Sequence, residues 1–230
     1  MALGALSARL TEVRSRIAAA AARAGRDPAG VRIVAVTKGH PLAAAREAWA
    51  AGLADLGENR VQEALAKMDA WQEPPVRWHL IGHLQRNKVK QAVGRFTLVH
   101  SLDSVRLADA LEEVAAARGL VQEVLVEVNV AGEAQKSGCP PGEVQALVER
   151  AAALPHLRLK GLMTMAPLTD DAAVQRRTFA GLRELGLRLA VDGLRLPELS
   201  MGMTNDFEAA VEEGATMVRL GTALFGERTQ

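Results

Sequence analysis

The residues with the clearest capacity for chemistry are a lysine and two clusters that combine glycine with small hydroxyl side chains. Lys38 ends the run Arg32-Ile33-Val34-Ala35-Val36-Thr37, and Gly39-His40-Pro41 follows it. The run is apolar and rich in β-branched residues, the pattern of a strand buried on both faces of a parallel sheet. Glycine and proline then break the strand. A lysine at the carboxyl end of such a strand stands where α/β proteins place their ligands. Burial there disfavours an ammonium ion, which leaves an amine able to form a Schiff base. The two clusters are Ser200-Met201-Gly202-Met203-Thr204 and Arg219-Leu220-Gly221-Thr222. Hydroxyls and glycine N–H groups at late strand ends commonly hold phosphate, helped by a helix N-terminus. Asp206 and Glu208 would oppose an anion, so the phosphate is expected nearer the Gly202 and Gly221 backbones. Taken alone, the same residues also suit a surface lysine and two ordinary glycine turns.

Bringing these groups together requires a repeating framework. Strand-like runs begin near Arg32, Asp55, Val76, Phe96, Val121, Leu157, Glu198 and Thr216. Helical patterns occupy Pro41–Ala51, Arg60–Trp71, Gln85–Val93, Val105–Arg118, Pro141–Leu154, Asp170–Val191 and Thr204–Glu213. About eight strands, nearly every one followed by a helix, predict a (β/α)8 TIM-type barrel forming one domain over residues 1–230. An open doubly wound sheet is the alternative. The barrel is preferred because strand count and chain length both fit, the typical barrel having ~250 residues. Leu3, Leu6, Leu10, Val13 and Ile17 recur at helical spacing and give an extra N-terminal helix. Little chain follows the last strand, and the opening helix is expected to fill that gap in the ring. Residues 131–142, rich in Gly and Pro, follow the fifth strand and should lie at the barrel mouth.

Composition narrows the function. Lys+Arg total 28 against 27 Asp+Glu, a net charge of +1, which asks for neither nucleic acid nor an anionic membrane as partner. No apolar run approaches the ~18 residues of a membrane span, and the opening helix does not read as a signal peptide. A single cysteine excludes an internal disulfide and a cysteine metal cluster, and a reducing, cytoplasmic setting is expected. Cys139, between Gly138 and Pro140, reads as an exposed bystander thiol. His79 and His83 are spaced four apart, yet they lack the acidic partner of an HExxH helix and lie on a strand, so they read as core or hydrogen-bonding histidines. Asp103 and Ser104 should cap the helix from Val105, and Thr204 or Asn205 the helix after the seventh strand. Arg86, Lys88 and Lys90 read as a solvated face. An amine on one side and a phosphate cradle on the other suit a ligand carrying both aldehyde and phosphate. Pyridoxal 5′-phosphate (PLP) is the first candidate and a phosphosugar held by a Schiff-base aldolase the second.

Several ordered motifs point to a family. They are Ala35-Val36-Thr37-Lys38, Gly57-Glu58-Asn59-Arg60-Val61-Gln62-Glu63, His79-Leu80-Ile81-Gly82-His83-Leu84-Gln85 with Asn87-Lys88, Lys136-Ser137-Gly138, Gly161-Leu162-Met163-Thr164-Met165, Leu199-Ser200-Met201-Gly202-Met203, and Val218-Arg219-Leu220-Gly221-Thr222. From about Val31 to Gly226 the chain resembles the pyridoxal phosphate homeostasis proteins, single-domain barrels related to the catalytic domain of alanine racemase. The resemblance implies that Lys38 carries PLP as a Schiff base and that Ser200, Gly221 and Thr222 hold the phosphate, beside Met201 and Gly202. It further implies that Arg219 lies near the pyridine nitrogen and that Asn59, His79 and Met163 line the pocket. Three small departures are Leu56 in place of an aromatic residue, Thr204 in place of serine, and Ala134-Gln135 before Lys136.

The same resemblance favours a carrier over an enzyme. A permanently charged Arg219 beside the ring disfavours a pyridinium and weakens the ring as an electron sink. Related racemases also place arginine there and add a tyrosine opposite the lysine, with a second all-β domain. This sequence has no tyrosine and ends just past the barrel. The expectation is a monomeric, intracellular PLP-binding protein that buffers or delivers the cofactor, with PLP-requiring apo-enzymes as partners. A PLP-dependent amino-acid enzyme using His79 as its second acid, and the phosphosugar aldolase, are the alternatives.

Overall fold

The computed structural model describes residues 3–133, 137–189 and 194–227. Its strands are β1 (Arg32–Val36), β2 (Asp55–Glu58), β3 (Arg77–Leu80), β4 (Leu98–Leu102), β5 (Gln122–Glu127), β6 (Leu157–Met163), β7 (Glu198–Ser200) and β8 (Met217–Leu220). All pair in parallel and in sequence order, and β8 closes onto β1, with Val34 opposite Arg219. The helices are α1 (Leu3–Arg23), α2 (Leu42–Ala50), α3 (Val61–Asp69), α4 (Val89–Ala92), α5 (Val105–Ala117), α6 (Val144–Ala152), α7 (Ala172–Leu189), α8 (Phe207–Glu212) and α9 (Thr222–Phe225). This is the expected barrel with its extra opening helix.

The departures from expectation are local. The helix anticipated over Gln85–Val93 is a 3₁₀ turn at Arg86–Lys88 followed by the single turn α4. Among the described residues, β8 is followed only by the single turn α9, and α1 packs against α8 and α9 with Leu6, Leu10, Val13 and Ile17 buried. The opening helix thus covers the apolar flank that a full eighth helix would cover. The helix expected to reach Val191 is described as far as Leu189, and Val191 lies outside the described residues. Ser104 caps α5 as expected, its hydroxyl accepting from the Leu107 N–H. Asp103 instead accepts from Ser104 and pairs with His83 at 3.2 Å. Neither Thr204 nor Asn205 caps α8. Asp206 stands at the cap, and its carboxylate accepts from the Met203 N–H at 2.5 Å.

Side chains alternate across each strand, so every second residue enters the barrel. Val34, Leu98, Leu125, Met163 and Met217 form an apolar cluster inside it. The opposite faces pack against the helices in a larger core that includes Leu56, Leu80, Val99, Leu162, Met201 and Val218.

The loop after β5 folds back along the strand. Cys139 donates its N–H to the Glu127 carbonyl and accepts from the Asn129 N–H. This corrects the expectation of an exposed thiol: Cys139 is buried, and burial pushes the thiol up to about 11. Native protein at pH 8 should therefore react with iodoacetamide at least about tenfold more slowly than urea-unfolded protein. Equal rates would mean that this loop does not cover the thiol.

Candidate functional site

A cavity of about 700 Å³ opens at the carboxyl ends of the strands, within the size range of small-molecule sites. Lys38, half-buried just past β1, lines one side of it. Thr204 and Asn205 after β7, with Gly221 and Thr222 after β8, line another. Arg219 forms part of the floor, and Asn59, His83, Glu127 and Met165 complete the wall. Five of the ten residues expected at the site therefore meet there: Lys38, Asn59, Arg219, Gly221 and Thr222.

The other five lie behind the cavity rather than in it. Met163 is fully buried in the inner apolar cluster, and Met165, two residues on, faces the cavity in its place. Met201 points out of the barrel into the helix-packed core. Gly202 has φ +93°, and a Cβ there would meet the Ala210 Cβ at 2.6 Å, so the glycine lets α8 approach β7. Ser200 is buried, and its hydroxyl accepts from Arg219 Nη1 at 2.7 Å and contacts His100 Nδ1 at 2.9 Å. The hydroxyl expected to hold phosphate is thus engaged below the cavity, and Thr204 supplies the hydroxyl at the mouth. Thr204 accepts from the Ala223 N–H at 3.2 Å, which ties the two late loops together. His79 is buried between Asp55 and His100, so the proposed second acid does not reach the cavity.

Two buried networks support the site. The first holds the chain on both sides of Lys38. Alternation turns Thr37 outward, where its hydroxyl donates to Glu58 at 2.5 Å. Lys67, from α3, donates to the Thr37 carbonyl at 2.8 Å, to Glu58 at 2.7 Å and to Glu63 at 3.1 Å. Glu63 in turn accepts from the Gly39 N–H at 2.6 Å. The residues before and after Lys38 are therefore anchored to the same Glu58–Lys67–Glu63 group. Burial raises the Glu58 carboxyl above its ordinary value, and Lys67 and Thr37 only partly offset this. Glu63 is lowered, because the Gly39 and Lys67 hydrogen bonds outweigh its burial.

The second network holds Arg219. Its Nη2 donates to the Thr164 carbonyl at 2.9 Å while Nη1 donates to Ser200. Burial lowers this guanidinium to about 10, with Asp206 and Glu127 opposing the shift, so it stays charged at neutral pH. Glu127, across the cavity, accepts from the Ser137 hydroxyl at 2.5 Å and is raised by burial. Lys136, next to it in the motif, lies outside the described residues. Glu58, His100 and Glu127 are polar residues near strand ends with no role assigned from sequence, and Lys67 and Asp55 were not singled out. The available signal was charge or imidazole inside otherwise apolar strands, together with Glu63 and Lys67 four residues apart on α3.

A lysine amine, a buried guanidinium and a hydroxyl-and-glycine edge around one cavity at the strand ends define a barrel site for a small anionic ligand. The family model described as alanine racemase, N-terminal domain, matches residues 8–229. A Pseudomonas aeruginosa protein named pyridoxal phosphate homeostasis protein is 50% identical over 95% of this chain and 94% of its own length. A protein of the same name from Aquifex aeolicus is 45% identical over 96% of this chain and 97% of its own. The structure of PipY from Synechococcus elongatus with PLP bound has a TM-score of 0.85 at 40% identity, covering 96% of this chain and all of that one. The chain belongs to the pyridoxal phosphate homeostasis protein family, within the broader class that shares the alanine racemase barrel.

Proposed function

We propose that this protein binds PLP reversibly at the strand-end cavity and takes part in PLP homeostasis, buffering or delivering the cofactor without turning over amino acids. The observation that carries the reading is the placement of Lys38, Arg219 and the Thr204–Gly221–Thr222 edge around one cavity. The PLP-bound PipY structure and the names of the curated relatives support it. The residues present fit the cofactor: an amine for its aldehyde, hydroxyls and glycine backbone for its phosphate, and a fixed cation for its ring nitrogen. When bound, PLP supplies an aldehyde that condenses with the Lys38 amine and releases water. Thr204, Gly221 and Thr222 hold the phosphate in this assignment, Asn59 and Met165 border the ring, and Ser200 and His79 act from beneath. The barrel works as one domain and as a monomer, in the cytoplasm, and PLP-requiring apo-enzymes are the partners.

Arg219 weakens the ring as an electron sink, and the sequence has no tyrosine to stand opposite Lys38 as one does in the related racemases. A permanently charged guanidinium at the ring nitrogen disfavours a second positive charge there, so the ring is a poorer electron sink. The test is twofold. Saturable binding of PLP by visible absorption is expected, together with no measurable racemisation or decarboxylation across the common amino acids. Turnover by pure protein that disappears in Lys38→Ala would overturn the carrier reading. A racemase-type reading has one observation in its favour, the raised Glu127 carboxyl facing the cavity. It predicts that any turnover is lost in Glu127→Gln. Arg219→Gln should leave the barrel folded, weaken PLP binding about tenfold (about 1.4 kcal/mol) and move the midpoint of the absorption titration. Unchanged affinity and an unchanged midpoint would place Arg219 away from the ring.

A further inference from the structure

A chain of buried hydrogen bonds runs down the inside of the barrel from Arg219 to its opposite end. Arg219 meets Ser200, Ser200 meets His100 Nδ1 at 2.9 Å, and His100 Nε2 meets His79 Nδ1 at 2.8 Å. His79 Nε2 then meets Asp55 Oδ1 at 2.9 Å, and Arg77 grips both oxygens of Asp55 at 2.6 and 2.5 Å. Ser200, His100, His79 and Asp55 are all buried, whereas the Arg77 side chain is half exposed. Asp55 and Arg77 border a second cavity, of about 470 Å³, with Arg14 and Arg32.

We propose that this relay fixes the hydrogen-bonding state of Arg219 from the far end of the barrel, which makes Asp55, His79 and His100 positioning residues for the cation on the cavity floor. The proton positions follow from the donors available. A guanidinium only donates, so Ser200 accepts from Arg219 and its own O–H must find an acceptor. The acceptor beside it is His100 Nδ1, which puts the His100 proton on Nε2. That N–H donates to His79 Nδ1, and the His79 proton on Nε2 donates to Asp55. Each donor points the same way, from Arg219 toward Asp55, with both imidazoles neutral. The reversed arrangement would give His100 Nδ1 a proton, make Ser200 accept twice, and leave its hydroxyl hydrogen without an acceptor among these groups.

The surroundings support this order. Burial would raise Asp55, but the hydrogen bonds from His79 and Arg77 outweigh it and hold the carboxyl well below the usual carboxylate range. Burial keeps His100 well below its ordinary value, and the Arg219 and Arg32 cations push it the same way. Arg32 itself pairs with Glu198 at the base of β7. Asp206 and Glu127 are the anions that act on Arg219 from the mouth. The ionised Asp55 therefore orders the protons above it, and Ser200 and the Thr164 carbonyl hold both Nη atoms of Arg219. The guanidinium plane is set before any ligand arrives.

The first arm of the test needs no ligand. Nitrogen-15 NMR of the imidazoles in ligand-free protein should find His79 and His100 neutral with both protons on Nε2, and a proton on His100 Nδ1 would overturn the relay. The second arm rests on the PLP reading above and follows the absorption titration of the loaded protein. Ser200→Ala and Asp55→Asn should move its midpoint in the same direction by about half a pH unit or more, while Ser200→Thr stays within about 0.2. If Asp55→Asn does not fold, His100→Phe takes its place, with the same shift expected. A shift in Ser200→Ala with none in Asp55→Asn or His100→Phe, or no shift in any variant, would also overturn the proposal. Failure to bind PLP at all would instead sink the functional reading and leave the NMR result to decide the relay.

Discussion

Lys38→Ala should abolish every covalent adduct with PLP while leaving a weaker, reversible affinity. The amine is the group in the cavity assigned to the aldehyde, so no borohydride-stable product is expected from the variant. The phosphate edge at Thr204, Gly221 and Thr222 and the floor at Arg219 are untouched by the change. The dissociation constant should rise on the order of tenfold to hundredfold, or about 1.4–2.8 kcal/mol. Fluorescence titration with PLP gives this number. Complete loss of binding would mean that the phosphate edge contributes little. Unchanged affinity would mean that Lys38 does not engage the ligand.

Lys67→Met should produce the largest loss of stability of any single change near the site. Lys67 is the cation facing the fully buried Glu58, and it also holds the Thr37 carbonyl. Removing one partner of a buried pair typically costs about 3–5 kcal/mol, because the other is left uncompensated. For a chain of this size that is on the order of 10 °C in melting temperature. The pH dependence has a definite sign. Glu58 is already raised in the folded state, chiefly by burial, and loses an opposing cation in the variant. A carboxyl raised by folding contributes stability below its unfolded pKa and loses it as pH rises through the folded value. The deficit relative to the parent should therefore be larger at pH 8 than at pH 5, and melting curves at the two pH values check it. Because Lys67 and Glu63 anchor the residues flanking Lys38, the variant should bind PLP more weakly even below its melting temperature. A deficit that grows in acid would contradict the assignment of Glu58 as the unpaired group.

The framework was legible because barrel periodicity is written locally. Eight β-branched runs separated by amphipathic segments need no long-range information, and the strand starts at Arg32, Asp55, Leu157 and Glu198 coincide with those observed. Lys38, Gly221 and Thr222 were legible because a strand end defines its own position at the mouth. The differences came from parity and depth, which depend on the closed barrel. Ser200 and Met163 are the last residues of their strands and stay buried, whereas the cavity-lining positions lie further along at Thr204 and Met165. Gly202 carries the mark of a ligand glycine, yet the close approach of α8 demands it. Cys139 sits between glycine and proline, yet backbone pairing with β5 buries it. The His79–His100–Ser200 chain was beyond reach because its members lie on β3, β4 and β7, and only barrel closure brings β7 near β4.

The chemistry of one amine, that of Lys38, decides whether the strand-end cavity is a PLP site. Purified protein would be incubated with PLP, reduced with borohydride, digested and mapped by mass spectrometry. The prediction is a single reduced pyridoxyl-phosphate adduct on the peptide containing Lys38, accompanied by loss of the visible absorption band on reduction. An adduct confined to another lysine, or no adduct with PLP at saturating concentration, would contradict the assignment of the strand-end cavity as a PLP site.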